Sequence, residues 1–279
     1  MMSTLHVLAR ETMIRLENQS ALPAETRSGG RTAIAGRMRL RQASCLGGLA
    51  LVLGALPGCQ SVTGSPSVAQ IRVIDASPDA SGIDVYQGAG ILAYNLGLGT
   101  ITSYVPTTPG TFNINVDAAG TKQQLSSAYG TFQTGGQYTV VVGDYTTALA
   151  ETILKDQTIP APTGQVALRF VDQSTRGGTV DLYLIPSGST ITQVRAVLTG
   201  VAFGTNTGYM NVPSGTYTLA AVPSGTVPTT ATATSYTGAS VSYPSGTART
   251  IVLIDQQLIT TPGLQVVVAD DYDPVGAPN

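Results

Sequence analysis

Apolar residues recur along this chain in two short-range patterns, and neither has the 3.6-residue period of a helix. In TFNINV, Phe112, Ile114 and Val116 alternate with polar residues and share one face of an extended segment. YTVVVG, starting at Tyr138, and TIVLID, starting at Thr250, are instead β-branched runs of strand length, the kind buried on both faces. Turn signals separate the runs: PSG occurs at Pro186, Pro213, Pro223 and Pro244, where Pro presets φ and Gly permits the reversal. The pattern predicts an all-β chain with about seven short strands in each stretch of roughly 100 residues. A β-sandwich of immunoglobulin-like or transthyretin-like kind fits that density.

The pattern occurs twice. IRVIDASPDASGIDVY, from Ile71, lies over LRFVDQSTRGGTVDLY, from Leu168, at an offset of 97 residues. That offset pairs Arg72 with Arg169, Asp75 with Asp172, Ser77 with Ser174, Asp84 with Asp181 and Tyr86 with Tyr183. GTITSYVPTTPGTF from Gly99 lies over GTNTGYMNVPSGTY from Gly204 at 105, and GGQYTVVVGD from Gly135 over GTARTIVLID from Gly246 at 111. The growing offset places longer loops in the second copy, and a tandem repeat follows. The linker is IPAPTG, residues 159–164, whose prolines and glycine stop a strand and predict few contacts across the boundary. The first sandwich is expected over 69–158, the second over 165–273, with a tail at 274–279.

Upstream of the repeats, MRLRQASCLGGLALVLGALPGCQ has a short basic head and then an apolar run too short for the roughly 20 residues that span a bilayer. It has the layout of an export signal. Leu56-Pro57-Gly58-Cys59 resembles a bacterial lipobox, in which the signal is cut before a cysteine that receives diacylglycerol. Residues 1–58 are therefore expected to be an upstream extension plus signal peptide, with Met38 as the true start, and 59–68 a lipidated Cys59 and tether. The lipid would hold the protein to the bacterial envelope membrane, and Gln60 after Cys59 would direct it to an outer membrane.

Charge narrows the function. From Gln60 onward five Arg and two Lys face thirteen Asp and Glu, so a nucleic-acid partner is excluded for want of a basic footprint. The sole histidine is His6, ahead of the signal, so the exported part would lack Ser-His-Asp, Cys-His and ordinary zinc chemistry. Asp75-Ala-Ser and Asp172-Gln-Ser lack the Gly of an aspartic-protease signature, and GAGILA at Gly88 has no βαβ context for a dinucleotide. Asp75, Asp79 and Asp84, or Asp270, Asp271 and Asp273, could offer oxygens to calcium, without the spacing of a known loop. Tyrosines could form a stacking platform for carbohydrate or peptide, although most sit at strand positions that core edges or sheet faces explain.

Residues shared by both copies serve the shared fold, so Arg72 is expected to pair with Asp84 or Asp75, and Arg169 with Asp181 or Asp172, across adjacent strands. Asp79, replaced by Arg176 in the second copy, is left for a private function.

The opening motifs of both copies, with YTVVVGD, ILKDQ, TIVLIDQ and VVVADDYD, resemble the bacterial domain-of-unknown-function family 4397, whose opening reads V-R-V-x-H-A-S-P-D-A-P-x-V-D-V-Y. The resemblance implies an exported, often lipidated tandem protein and brings no activity with it. This chain departs at the family's histidine, which is Asp75 and Asp172 here. The expectation is a non-enzymatic envelope lipoprotein with no catalytic, cofactor or metal site, its two sandwiches acting as a binding or structural module toward an envelope protein or glycan. The alternatives are an envelope enzyme using Asp or Tyr chemistry on glycan or peptide, and a calcium-dependent adhesion module.

Overall fold

The structure is a computed structural model that describes residues 67–229, 234–256 and 263–274. The expected signal, Cys59, most of the tether and the end of the tail lie outside the described residues. The first copy comprises β1 (Ala69–Asp75), β2 (Ile83–Gln87), β3 (Gly90–Leu96), β4 (Val105–Thr107), β5 (Gly110–Ala118), β6 (Gln124–Phe132), β7 (Gln137–Gly143) and β8 (Ala150–Lys155). The second comprises β9 (Gln165–Asp172), β10 (Val180–Pro186), β11 (Leu198–Val201), β12 (Asn206–Pro213), β13 (Gly215–Pro223), β14 (Tyr236–Tyr243), β15 (Ala248–Asp255) and β16 (Leu264–Tyr272). A 3₁₀ turn, Ile191–Gln193, sits between β10 and β11.

Each copy is a sandwich of two four-stranded sheets. The order is β4-β1-β7-β8 over β3-β2-β5-β6, repeated as β12-β9-β15-β16 over β11-β10-β13-β14. The first strand runs parallel to the seventh in both copies, with Arg72 opposite Thr139 and Arg169 opposite Thr250. An immunoglobulin constant domain instead places its first, second, fourth and fifth strands in one sheet. Of the two expected kinds, the observed order is the transthyretin-like one.

Strand alternation builds the cores. In β1, Ala69, Ile71 and Val73 point into the first sandwich with Ile83, Val85, Ile114, Val116 and Phe132. In β9, Val166, Leu168 and Phe170 do the same in the second, with Leu182, Ile251 and Leu253. The other face of these strands is also covered. Ile74, Val141 and Leu154 of the first copy meet Val171, Val252, Ile254, Val267 and Ala269 of the second in a separate apolar cluster. The β1-containing and β9-containing sheets thus pack on each other, giving four sheet layers. The runs at Tyr138 and Thr250 are buried on both faces because the other copy supplies the second cover.

This overturns the reading of the linker as a boundary with few contacts. Ala161 is buried with Ala167 and Ala248 against Tyr209 and Tyr272, and its amide donates to the Gly246 carbonyl at 3.1 Å.

Candidate functional site

Arg72 lies on the β1 face that carries Ile74, toward the second copy. Its guanidinium stacks on Tyr104, 4.6 Å from the ring centre, and Nε donates to Thr139 Oγ1 at 2.9 Å. Across the seam, Nη1 donates to the Asp270 carbonyl at 2.7 Å and Nη2 to Asp271 Oδ1. Arg169 mirrors it: 4.6 Å from the Tyr209 ring centre, Nε to Thr250 Oγ1 at 2.9 Å, Nη1 to the Lys155 carbonyl at 3.0 Å, Nη2 to Asp156 Oδ1 at 2.5 Å.

Each receiving carboxylate is held by its own copy. Asp156 accepts from Tyr104 at 2.8 Å and Thr139 at 2.7 Å, and Asp271 accepts from Tyr209 at 2.8 Å and Thr250 at 2.7 Å. The arrangement is a reciprocal clamp of two guanidinium and two carboxylate groups whose charges cancel. All four side chains are at most 4% exposed. Burial and the neighbouring Asp156 carboxylate push the Tyr104 phenol well above its usual range, and burial does the same to Tyr209. Burial also raises Asp271, while Arg72 draws it back.

The expected pairing of Arg72 with Asp84 or Asp75, and of Arg169 with Asp181 or Asp172, is therefore corrected. Asp75 stands at an odd position of β1 and Arg72 at an even one, so they face opposite ways. Asp84 belongs to the other sheet, across the apolar core. The correct partners had a sequence signal: arginine, tyrosine, threonine and aspartate of the clamp each recur in both copies.

The remaining shared aspartates are turn fasteners. Asp84 accepts from the amides of Asn95 at 2.7 Å and Gly120 at 2.9 Å. Asp181 accepts from the Gly200 amide and the Ser224 hydroxyl, both at 2.8 Å, and from Gly225 at 3.2 Å. Burial alone would raise Asp181, but these donors outweigh it and hold the carboxyl below its usual value.

Asp75 and Asp172 behave differently. Asp75 accepts only from the Ser77 amide, at 2.9 Å, and its Oδ2 has no hydrogen-bond partner among the described residues. Burial pushes it up to about 7. Asp172 has the same orphaned Oδ2 and is also raised by burial, but it accepts from both the amide and the hydroxyl of Ser174, at 2.8 and 2.6 Å.

Asp79 is not left over for a private task. It clasps Thr146, accepting from the amide at 2.8 Å and the hydroxyl at 3.1 Å. In the second copy the clasp is made from the other side, by Asp255 accepting from the amides of Thr175 at 2.8 Å and Arg176 at 3.0 Å. The calcium groupings come apart as well. Asp75 and Asp84 serve different turns, and Asp271 enters the clamp while Asp270 and Asp273 pair with Arg249 at 2.7 and 2.5 Å. Among the described residues no three acidic, His or Cys side chains gather as a metal site.

The outer sheets are where the copies differ. In the second, Tyr183, Ala220 and Val222 form an apolar patch covered by Ile185, Ile191, Val194 and Ala196, most of them from the longer β10–β11 loop. Tyr183 is 6% exposed. In the first, register puts Asn115 opposite Tyr86 and Asp117 opposite Asp84, where the second copy has Ala220 opposite Tyr183 and Val222 opposite Asp181. No equivalent loop covers Tyr86, because only two residues, Gly88 and Ala89, separate β2 from β3. Tyr86 meets Tyr94 edge-on at 6.2 Å between ring centres, and Lys122 Nζ stands 5.7 Å from the Tyr86 ring centre. Tyr86, Asn115, Asp117, Lys122 and Gln124 line a cleft of about 310 Å³.

A family model described as "Domain of unknown function (DUF4397)" matches residues 69–183 and 190–279. No curated protein sequence matches the chain. Among solved structures, it is similar to the Bacillus anthracis TIE protein at 13% identity and a TM-score of 0.21, over 69% of this chain and 34% of that one. The chain thus spans about a third of that protein's length. It is also similar to a family 26 carbohydrate-binding module of Eubacterium rectale Amy13K, solved with maltoheptaose, at 10% identity and a TM-score of 0.23, over 74% of this chain and 98% of that one. At such scores the functional reading rests on the chain's own residues.

Proposed function

This chain belongs to the DUF4397 family, and we propose that it is a non-enzymatic, lipid-anchored protein of the bacterial envelope that presents two β-sandwiches as one rigid binding head. The reciprocal Arg72–Asp271 and Arg169–Asp156 clamp carries this reading. It commits Arg72, Arg169, Asp156 and Asp271 with Tyr104 and Tyr209 to holding the sandwiches together, which leaves the outer sheets for binding. Asp75, with its raised pKa, would suit a general acid, but it is fully buried, which puts its carboxyl out of reach from solvent. Leu56-Pro57-Gly58-Cys59 supports the anchor, since two acyl chains on one cysteine give stable membrane attachment.

The test is fractionation of cells expressing the full chain, with mass spectrometry of the Cys59 peptide and in-cell crosslinking. We expect a diacylated Cys59 in the membrane fraction, release of Cys59→Ser to the soluble fraction, and crosslinks from envelope components to the outer sheets. Recovery only as soluble protein with an unmodified Cys59 would overturn the anchor. Crosslinks confined to no partner at all would overturn the binding role.

A further inference from the structure

The outer face of the first sandwich combines three features that a solvated sheet does not need together. It keeps the tyrosine that the second copy buries. It adds two more, Tyr94 and Tyr129, at 68% and 77% exposure. It also replaces the apolar neighbours Ala220 and Val222 by Asn115 and Asp117. In the second copy the same face is apolar and is covered by the chain's own loop, so the fold does not require it to be polar or open.

Resting on the binding-module reading above, we propose that this face is a glycan-binding site, taking an uncharged, hydroxyl-rich oligosaccharide. Tyr86 and Tyr94, perpendicular at 87°, form an elbow in which a sugar ring packs its C–H face on one phenol. Asn115, Asp117 and Gln124 border the elbow with amide and carboxylate groups that exchange hydrogen bonds with ring hydroxyls. Asp84 and Asp117 beside Tyr86 outnumber the single Lys122, which disfavours an acidic peptide or a polyanion. A mainly apolar partner is disfavoured by the same residues, since it would leave their polar groups dry and unpaired. Tyr129, on the sheet's far strand and opposite Asn113, extends the platform. Strands stand about 4.8 Å apart, so Tyr86 on β2 and Tyr129 on β6 stand about 10 Å apart across the sheet with Asn113 and Asn115 of β5 between them, room for more than one sugar ring. Asn113 Oδ1 beside it has no hydrogen-bond partner among the described residues.

The experiment titrates the detergent-solubilised full chain with soluble oligomers of glucose, xylose and N-acetylglucosamine, by calorimetry and by intrinsic fluorescence. The chain has no Trp, so tyrosines alone report. We expect saturable binding of at least one oligomer, weakened about tenfold or more by Tyr86→Ala and by Tyr94→Ala, and a few-fold by Asn115→Ala. Tyr94→Ala, at a largely exposed position, keeps the test sound should Tyr86→Ala fail to fold. Tyr183→Phe, in the covered copy, leaves affinity unchanged. Absence of saturable binding across the panel overturns the glycan assignment, as does binding that survives both tyrosine changes in folded protein. A protein crosslinked to this face in cells, with no oligosaccharide response, overturns the assignment while leaving the binding-module reading in place. Loss of both signals removes both.

Discussion

The inner sheets of the two copies have stayed nearly superimposable in chemistry, while their outer sheets have gone separate ways. On the inner side Arg72, Tyr104, Thr139 and Asp156 match Arg169, Tyr209, Thr250 and Asp271 contact for contact. On the outer side Tyr86 lies beside Asn115 in the open, and Tyr183 lies beside Ala220 beneath a loop. The difference teaches what constrains each surface. In a two-fold-related interface residue i of one copy meets residue j of the other and j meets i, so the inner face of each copy is held to the chemistry of its counterpart. An outer face answers only to its own copy and to whatever binds it.

The comparison breaks most severely at the clamp. Arg72→Ala strands Asp271 in a dry seam and removes the stacking on Tyr104. We expect a loss of about 3–5 kcal/mol in chemical denaturation, with Arg169→Ala costing the same within error. A large inequality between the two would show that the symmetry is geometric and not energetic.

Next in size is the pH dependence at Asp75. Its folded pKa of about 7 lies above the unfolded value of 3.8, so the folded state holds the extra proton between those limits. Stability therefore falls as pH rises through that window, by on the order of 3–4 kcal/mol for about three pKa units. Asp75→Asn keeps the acceptor for the Ser77 amide and should flatten the slope, making the variant more stable than the parent at pH 8. Asp172→Asn should show the same sign with a smaller amplitude, because Ser174 donates twice to Asp172. Equal amplitudes would mean that the additional hydroxyl is without effect.

Smaller again is the covered face. Ile191→Ser with Val194→Ser removes apolar cover from Tyr183 and should cost about 2 kcal/mol, read from the denaturation midpoint. The smallest change is Asp181→Asn, at about 1 kcal/mol near neutral pH. Its folded pKa is lowered, so its contribution is full above the unfolded value and fades as pH falls through the folded one. That slope is opposite to that of Asp75.

Much of this was legible in one dimension. Alternation in TFNINV and the unbroken runs at Tyr138 and Thr250 implied strands buried on one and on both faces, and the repeated motifs implied two copies of one sandwich. The pairing of Arg72 was not legible, because four aspartates recur in the repeat and sequence distance favours the near ones. Asp75 and Asp84 lie close along the chain yet are turned away from Arg72 or placed across the core, whereas Asp271 lies 199 residues away and touches it.

By itself, then, the sequence determined the local geometry: strand period, turn positions, the recurrence of each clamp residue, and the longer loops of the second copy. Only the tertiary structure decided what covers each face. Alternation specifies which side of a strand a residue occupies, but not whether that side meets the copy's own sheet, the other copy or solvent. That choice depends on contacts between separate strands, from 13 positions apart at Arg169–Asp156 to 199 at Arg72–Asp271, whose free energy exists only once both surfaces are formed.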